Sequence, residues 1–173
     1  MEMRPSLSLE TARLFLRPCK LQDLDAMHRI RIDPEIRRFL WDNDVISRAQ
    51  AEAALRASLD SFKSERLGIW AISVKGSLEI IGFCGMRRTE DSGEVELLYG
   101  VRPEMAGRGI ASEAAAAVLR YGLQQIGLGS IVARADEANL ASVRVMQKIG
   151  MAFRRKYIEP GRVTVEYAIA RNV

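Results

Sequence analysis

The sequence predicts an α+β fold, a mixed and largely antiparallel sheet of six or seven strands with helices on both faces. Three observations point to it. Residues 69–74, 80–87 and 94–101 read as consecutive strands joined at Lys75-Gly76-Ser77 and at Glu90-Asp91-Ser92-Gly93. Short, polar, glycine-containing joints favour hairpins, and three strands joined by hairpins form an antiparallel meander. The third strand then runs into a glycine loop that opens on an alanine-rich helix, followed by a β-branched stretch at 130–135. A helix between strands imposes a crossover, so the strand at 130–135 pairs in parallel with its neighbour.

In chain order, residues 13–18 (Arg-Leu-Phe-Leu-Arg-Pro) alternate like an edge strand, and 21–32 and 34–40 read as two short helices. Residues 47–67 form a longer helix. Ser47 is its N-cap, and Ala51, Ala54, Leu55, Leu59 and Phe62 share one face that should lie on the sheet. Ala111, Ala114, Ala115, Val118, Leu119 and Ile126 recur at helical spacing over 110–126, with Gly127 as terminator. A second amphipathic helix at 140–149 is capped by Asn139 and stopped by Gly150. Residues 153–158 and 163–170 close the chain as a hairpin across Glu159-Pro160-Gly161-Arg162.

At 173 residues the chain is long enough for one well-buried core and short for two, so a single domain over 1–173 is expected. No apolar stretch approaches the ~20 residues of a spanning helix, and the start Met-Glu-Met-Arg-Pro lacks the apolar core of a signal peptide. A cytoplasmic protein with no membrane partner is the expectation. Two cysteines, Cys19 and Cys84, make no disulfide framework, and a single histidine, His28, is expected on the surface; no metal site is expected. The net charge of +4 suits an anionic ligand, nucleic acid or a ribosomal surface, but the basic residues are dispersed. A helix-turn-helix reading of 139–151 fails because a strand, not a helix, precedes it, so no DNA binding is expected.

The segment 101–112 (Val-Arg-Pro-Glu-Met-Ala-Gly-Arg-Gly-Ile-Ala-Ser) carries the chemistry. A helix start presents N–H groups with no intrahelical acceptor and about half a positive charge, so phosphate oxygens bind there without a dedicated cation. Gly107 and Gly109 can adopt positive φ and admit a bulky diphosphate to the main chain, and Arg108 adds a mobile charge. Taken alone, Gly-x-Gly is also a plain loop before a helix. The phosphate-binding P-loop is excluded because Lys-[Ser/Thr] is missing after Gly109, and a dinucleotide fingerprint would need glycine at Ser112.

The meander, Gly107-Arg108-Gly109-Ile110-Ala111, the parallel strand and Asn139-Leu-Ala-Ser142-Val-Arg-Val-Met-Gln-Lys148-Ile-Gly150 together resemble the GNAT superfamily of acyl-CoA-dependent N-acyltransferases, over nearly the whole chain. The opening Leu-Glu-Thr-Ala-Arg-Leu-Phe-Leu-Arg-Pro looks like the branch of ribosomal-protein alanine N-acetyltransferases. The resemblance implies a central splay in the sheet and acetyl-CoA as co-substrate. It implies diphosphate binding by the amides of Ala106, Gly107, Arg108, Gly109, Ile110 and Ala111, with Ser112 at the helix start. It also implies pantetheine pairing with Tyr99, Gly100 and Val101, and Asn139 touching the cofactor's amides. The acceptor would be a protein N-terminus, that of a ribosomal protein included, or a small amine such as an amino acid, polyamine or antibiotic. A catalytically silent acyl-CoA sensor is the other class, and the chain would be monomer or homodimer.

By the same resemblance Glu96 is the base, while the residues alone leave Glu94 and Glu96 open as the solvent face of a strand. Glu96 and Val101 have opposite parity, yet both should serve one cleft; the resemblance implies a β-bulge in this strand, for which Gly100 is the place, and a regular ladder from Glu94 to Val101 would take Glu96 out of the cleft. The tyrosine acid of many family members is replaced by Met146, and Ser142 matches the acid of the alanine-acetyltransferase branch. Ser142 reads equally as a helix N3 residue bonded back to the Asn139 cap. Lys148 points to cofactor or solvent. Trp41 and Trp70 are candidates for the acceptor pocket, with buried core the alternative for Trp70.

Overall fold

The computed structural model describes residues 7–39 and 43–172. Eight strands form one sheet in the order β1-β2-β3-β4-β5-β6-β8-β7. They are β1 Leu9–Glu10, β2 Leu14–Pro18, β3 Ile69–Val74, β4 Gly82–Arg88, β5 Val95–Val101, β6 Ser130–Asp136, β7 Ala152–Glu159 and β8 Arg162–Ala170. The strand beyond the expected six or seven is β1, whose two residues are too few to leave a periodic signal. Among the described residues five α-helices flank the sheet: α1 Leu24–Ile32, α2 Pro34–Arg37, α3 Arg48–Glu65, α4 Ile110–Arg120 and α5 Leu140–Lys148.

Alternation along each strand sorts the core into two layers. Leu14, Leu16, Ile72, Met86, Leu97 and Ile131 face α4 and α5, whereas Ile69, Ala71 and Phe83 face α1 and α3. Ser47 caps α3 as expected, its Oγ accepting from the Gln50 N–H at 3.1 Å and its own N–H donating to Gln50 Oε1 at 2.7 Å. The helix expected over 110–126 is α-helical only to Arg120; a π-helical turn, Tyr121–Ile126, completes it and ends on Gly127 at φ 82°. Gly122 in that turn lies so close to the sheet that a Cβ would meet Met86 Sδ and Ile131 Cδ1 at 2.8 Å. The expected helix over 34–40 is α2, four residues long, and residue 40 lies outside the described residues.

Every strand pairing is antiparallel except β5 with β6, whose register pairs Glu96 with Val132 and nothing beyond it among the described residues. From Leu97 onward the β6-facing edge of β5 is therefore open, which is the expected splay. The predicted bulge in β5 is absent: β4 and β5 pair one for one from Arg88↔Val95 to Gly82↔Val101. The strands part on the other edge of β5, so nothing interrupts this ladder. A register shift occurs instead in β7, between Phe153 and Arg155, leaving Arg154 as the extra residue.

Candidate active site

Gly107 and Gly109 sit at φ 73° and 75°, in the left-handed region that side chains resist, and Gly109 is the N-cap of α4. Among the described residues, the N–H groups of Gly107, Arg108 and Gly109 meet no backbone acceptor, and those of Ile110, Ala111 and Ser112 belong to the first helical turn, which has none to offer. Ala106 differs from the expectation. Its N–H donates to Pro103 O at 3.0 Å, because Pro103–Met105 is a 3-10 turn, and so it leaves the set of free donors.

An open depression of about 520 Å³ lies against this loop, lined by Arg13, Arg108, Ser112 and Lys148 among others. A Cβ on Gly109 would stand 3.5 Å from Arg13 Nη2 and 3.7 Å from Lys148 Nζ, so two cations bracket the loop. Arg13 is fixed: its Nε donates to Glu113 Oε2 at 2.7 Å and its Nη1 to the Arg108 carbonyl at 3.0 Å. Glu113 also accepts from Thr11 Oγ1 at 2.5 Å. Although burial alone would raise it, these hydrogen bonds and the Arg13 charge hold the Glu113 carboxyl below its ordinary range. The start of β2 is thereby tied to the first turn of α4. Lys148 is exposed and has no ion pair among the described residues.

Asn139 caps α5, its Oδ1 accepting from the Ser142 N–H at 3.2 Å. The Ser142 hydroxyl does not bond back to that cap; it lies 2.8 Å from the phenol of Tyr99, which also donates to the Ser142 carbonyl at 3.1 Å. Burial pushes the Tyr99 phenol up to about 12, with the Ser142 bond partly opposing it. Sequence reasoning placed Tyr99 here for its backbone and missed its side chain. Parity puts Tyr99 on the α5-facing side with Leu97 and Val101, but a contact across 43 residues leaves no local pattern.

Glu96 occupies the opposite face of β5 and is buried, 6% exposed, which removes the solvent-face reading. Its Oε2 accepts from Arg87 Nε and Nη2 at 3.1 and 2.9 Å, while no donor to Oε1 is found among the described residues. The unbroken ladder thus takes Glu96 off the face that Tyr99 and Val101 present, as a regular strand requires, and leaves it at the last position paired with β6, Glu96↔Val132, before the splay.

Beyond Glu96 the same face carries a second carboxylate, Glu166 on β8, which is fully buried. Arg134 Nε, Arg155 Nε and the Tyr157 hydroxyl each donate to it at 2.8 Å. Burial pushes the Glu166 carboxyl up, but these three hydrogen bonds and the Arg134 charge bring it below its ordinary range. The β7 bulge brings two successive arginines to neighbouring carboxylates: Arg154 reaches Glu94 Oε1 at 2.5 Å and Arg155 reaches Glu166. Nothing in the local sequence announces this cluster.

Trp70 is core, fully buried between Phe62 and Tyr121 in edge-on contacts. Trp41 lies outside the described residues. His28 departs from the surface reading: half-buried, its Nε2–H donates to Ile46 O at 2.8 Å. Both cysteines are free and buried. Among the described residues no cluster of His, Cys, Asp and Glu suits a metal ion, and no helix is long and apolar enough to cross a membrane.

A family model described as an acetyltransferase (GNAT) domain matches residues 13–152. The uncharacterized N-acetyltransferase YoaA of Bacillus subtilis (strain 168) is 30% identical over 143 residues, spanning 82% of this chain and 81% of the relative. The fold matches the acetyltransferase (GNAT family) of Bacillus anthracis with a TM-score of 0.81 at 23% identity, covering 95% of this chain and 98% of that one. It also matches RimL, a ribosomal L7/L12 alpha-N-protein acetyltransferase solved in complex with coenzyme A. There the TM-score is 0.80 at 15% identity, covering 94% and 97%.

Proposed function

The chain belongs to the acetyltransferase (GNAT) family, and from that premise we propose that it transfers the acetyl group of acetyl-CoA to a primary amine, foremost a protein or peptide α-amine, by direct attack in a ternary complex. The observation that carries this reading is the set of unengaged N–H groups on the left-handed loop, next to the open edge of β5. Gly107, Arg108, Gly109, Ile110, Ala111 and Ser112 hold the diphosphate through their amides. Tyr99, Gly100 and Val101 offer their main chain to the pantetheine arm, and Asn139 serves its amide groups.

The two faces divide the reaction. The thioester comes from the α4–α5 side, the amine from the α1–α3 side, and they meet in the gap beyond Glu96. The amine nitrogen attacks the thioester carbonyl carbon, the C–S bond breaks, and the sulfur leaves as thiolate. Glu96 Oε1 takes the proton lost by the nitrogen, directly or through water. Ser142 Oγ–H donates to the departing sulfur, and a main-chain amide at the end of β5 faces the oxyanion. A free α-amine titrates near 7.7 to 8.0, so ~10–20% is neutral at pH 7, against well under ~0.1% of a lysine near 10.4. One carboxylate, held by Arg87 through Oε2, is matched to the easier of these substrates. The likeness to RimL, named for its action on a protein α-amine, supports the same choice.

Acetyl-CoA turnover against peptides with different N-terminal residues and against small amines tests this, with mass spectrometry locating the added acetyl group. Acetylated peptide N-termini are expected. Transfer to small amines alone would move the acceptor class, and no transfer to any amine by a chain that binds acetyl-CoA would make it a sensor.

A further inference from the structure

Tyr99 and Ser142 belong to different elements, β5 and α5, yet their hydroxyl oxygens stand 2.8 Å apart beside the open edge of β5. Hydrogen counting allows two arrangements, because each hydroxyl has one hydrogen to give. In the first, Tyr99 donates to the Ser142 carbonyl, 3.1 Å away, and the serine hydrogen is consumed in return on the phenol oxygen. In the second, Tyr99 donates to Ser142 Oγ and the serine hydrogen is left free. The first is closed on itself; the second presents a donor to a third group.

We propose that Tyr99 is a positioning residue that gives its phenol hydrogen to Ser142 Oγ, so that the serine's own hydrogen is held ready for the sulfur of coenzyme A. The inference rests on the reading above, which brings the thiol to this edge. A thiolate is a charged acceptor and forms hydrogen bonds about twice as strong as neutral ones, so its arrival favours the second arrangement. Tyr99 does not itself protonate the sulfur. Its phenol is pushed up to about 12, whereas a thiol titrates near ~8.5, so the proton stays on the phenol and Tyr99 remains a donor throughout neutral pH. The pair therefore stabilises the thiolate by a hydrogen bond, without net proton transfer. No such role can be filled from the next turn of the helix, where Met146 is fully buried and has no hydrogen to give.

The test reads the thiol directly and needs no acceptor. Free coenzyme A is bound to the wild-type chain, to Tyr99→Phe, to Ser142→Ala and to the double variant, and the ultraviolet absorbance of the thiolate is followed with pH. Tyr99→Phe keeps the ring and with it the packing, and circular dichroism confirms the fold. Relative to wild type, the bound thiol is expected to titrate about one pH unit higher in each single variant, the tenfold effect of one charge-assisted hydrogen bond, and no higher in the double. With a measured acceptor, kcat falls by the same factor of about ten while the KM for acetyl-CoA is unchanged, a split that loss of packing would not produce. Identical thiol titration in wild type and Tyr99→Phe, or additive shifts in the double variant, overturns the proposal alone. Failure of the wild-type chain to bind coenzyme A overturns the reading beneath it and the proposal with it.

Discussion

The two faces of β5 are built from different materials. On the α4–α5 side the site is chiefly main chain, six amide groups in a loop and helix start shaped by two glycines and bracketed by Arg13 and Lys148, with the Tyr99 and Ser142 hydroxyls paired nearby. On the α1–α3 side it is charge: Glu96 with Arg87, then Glu166 with Arg134, Arg155 and Tyr157. Main-chain donors tolerate many side chains provided the backbone angles are kept, and so they recognise a constant ligand. Carboxylates and guanidiniums depend on each partner's identity, and a side built from them can vary with the acceptor. On the function proposed above, coenzyme binding and the donor to the departing sulfur fall to the first face, and removal of the amine's proton with acceptor handling to the second.

Substitutions that touch one face only should sharpen it. Glu96→Gln carries the largest expected effect, a fall in kcat of ~10² to 10⁴ if Oε1 is the base, with the dissociation constant of coenzyme A unchanged. Steady-state kinetics with parallel calorimetry checks it, and unimpaired turnover would assign proton removal to solvent. Glu166→Gln should lower folding stability by about 3 kcal/mol at pH 7, because it leaves guanidiniums without their buried carboxylate, again with coenzyme affinity intact.

The pH dependence of that loss has a definite sign. Glu166 titrates lower in the folded chain than in the unfolded one, so its contribution is complete above the unfolded value of about 4.3 and vanishes as pH falls through the lower folded value. Denaturant melts should show a constant gap between wild type and variant from neutral pH down to about pH 5, closing in stronger acid. A gap that persists at the lowest pH would mean that packing rather than charge is lost. Gly109→Ala is the smallest change and acts on the opposite face. Forcing a Cβ into φ 75° costs about 1–2 kcal/mol, which should appear as a coenzyme dissociation constant about tenfold weaker as the loop relaxes. Equal affinity in Gly109→Ala would detach the diphosphate from these amides.

The α4–α5 side is legible in one dimension because everything that makes it is local. Positive φ at Gly107 and Gly109, the helix start after them and the Asn139 cap are each decided within four or five residues, and the structure has all of them. Even so, the pattern that makes Ala106 a donor does not carry the turn begun at Pro103, which engages its N–H. The meander and the hairpins were legible for the same reason, since turn chemistry is local.

The other side resisted reading because it depends on which strands meet. Parity and the family resemblance together imply a bulge in β5, but the chain separates β5 from β6 instead and keeps the β4 ladder whole. The bulge that does occur is in β7, where it presents Arg154 and Arg155 to carboxylates on other strands. By itself the sequence determined the elements and the glycine loop, consequences of backbone preferences and short-range periodicity, and its motifs carried the resemblance to the family. Only the tertiary structure decided that Glu96 sits at the mouth of the splay, that Tyr99 meets Ser142 and that Glu166 is buried among arginines. Those contacts join residues far apart in the chain, and their energies are set by burial and geometry that no local pattern encodes.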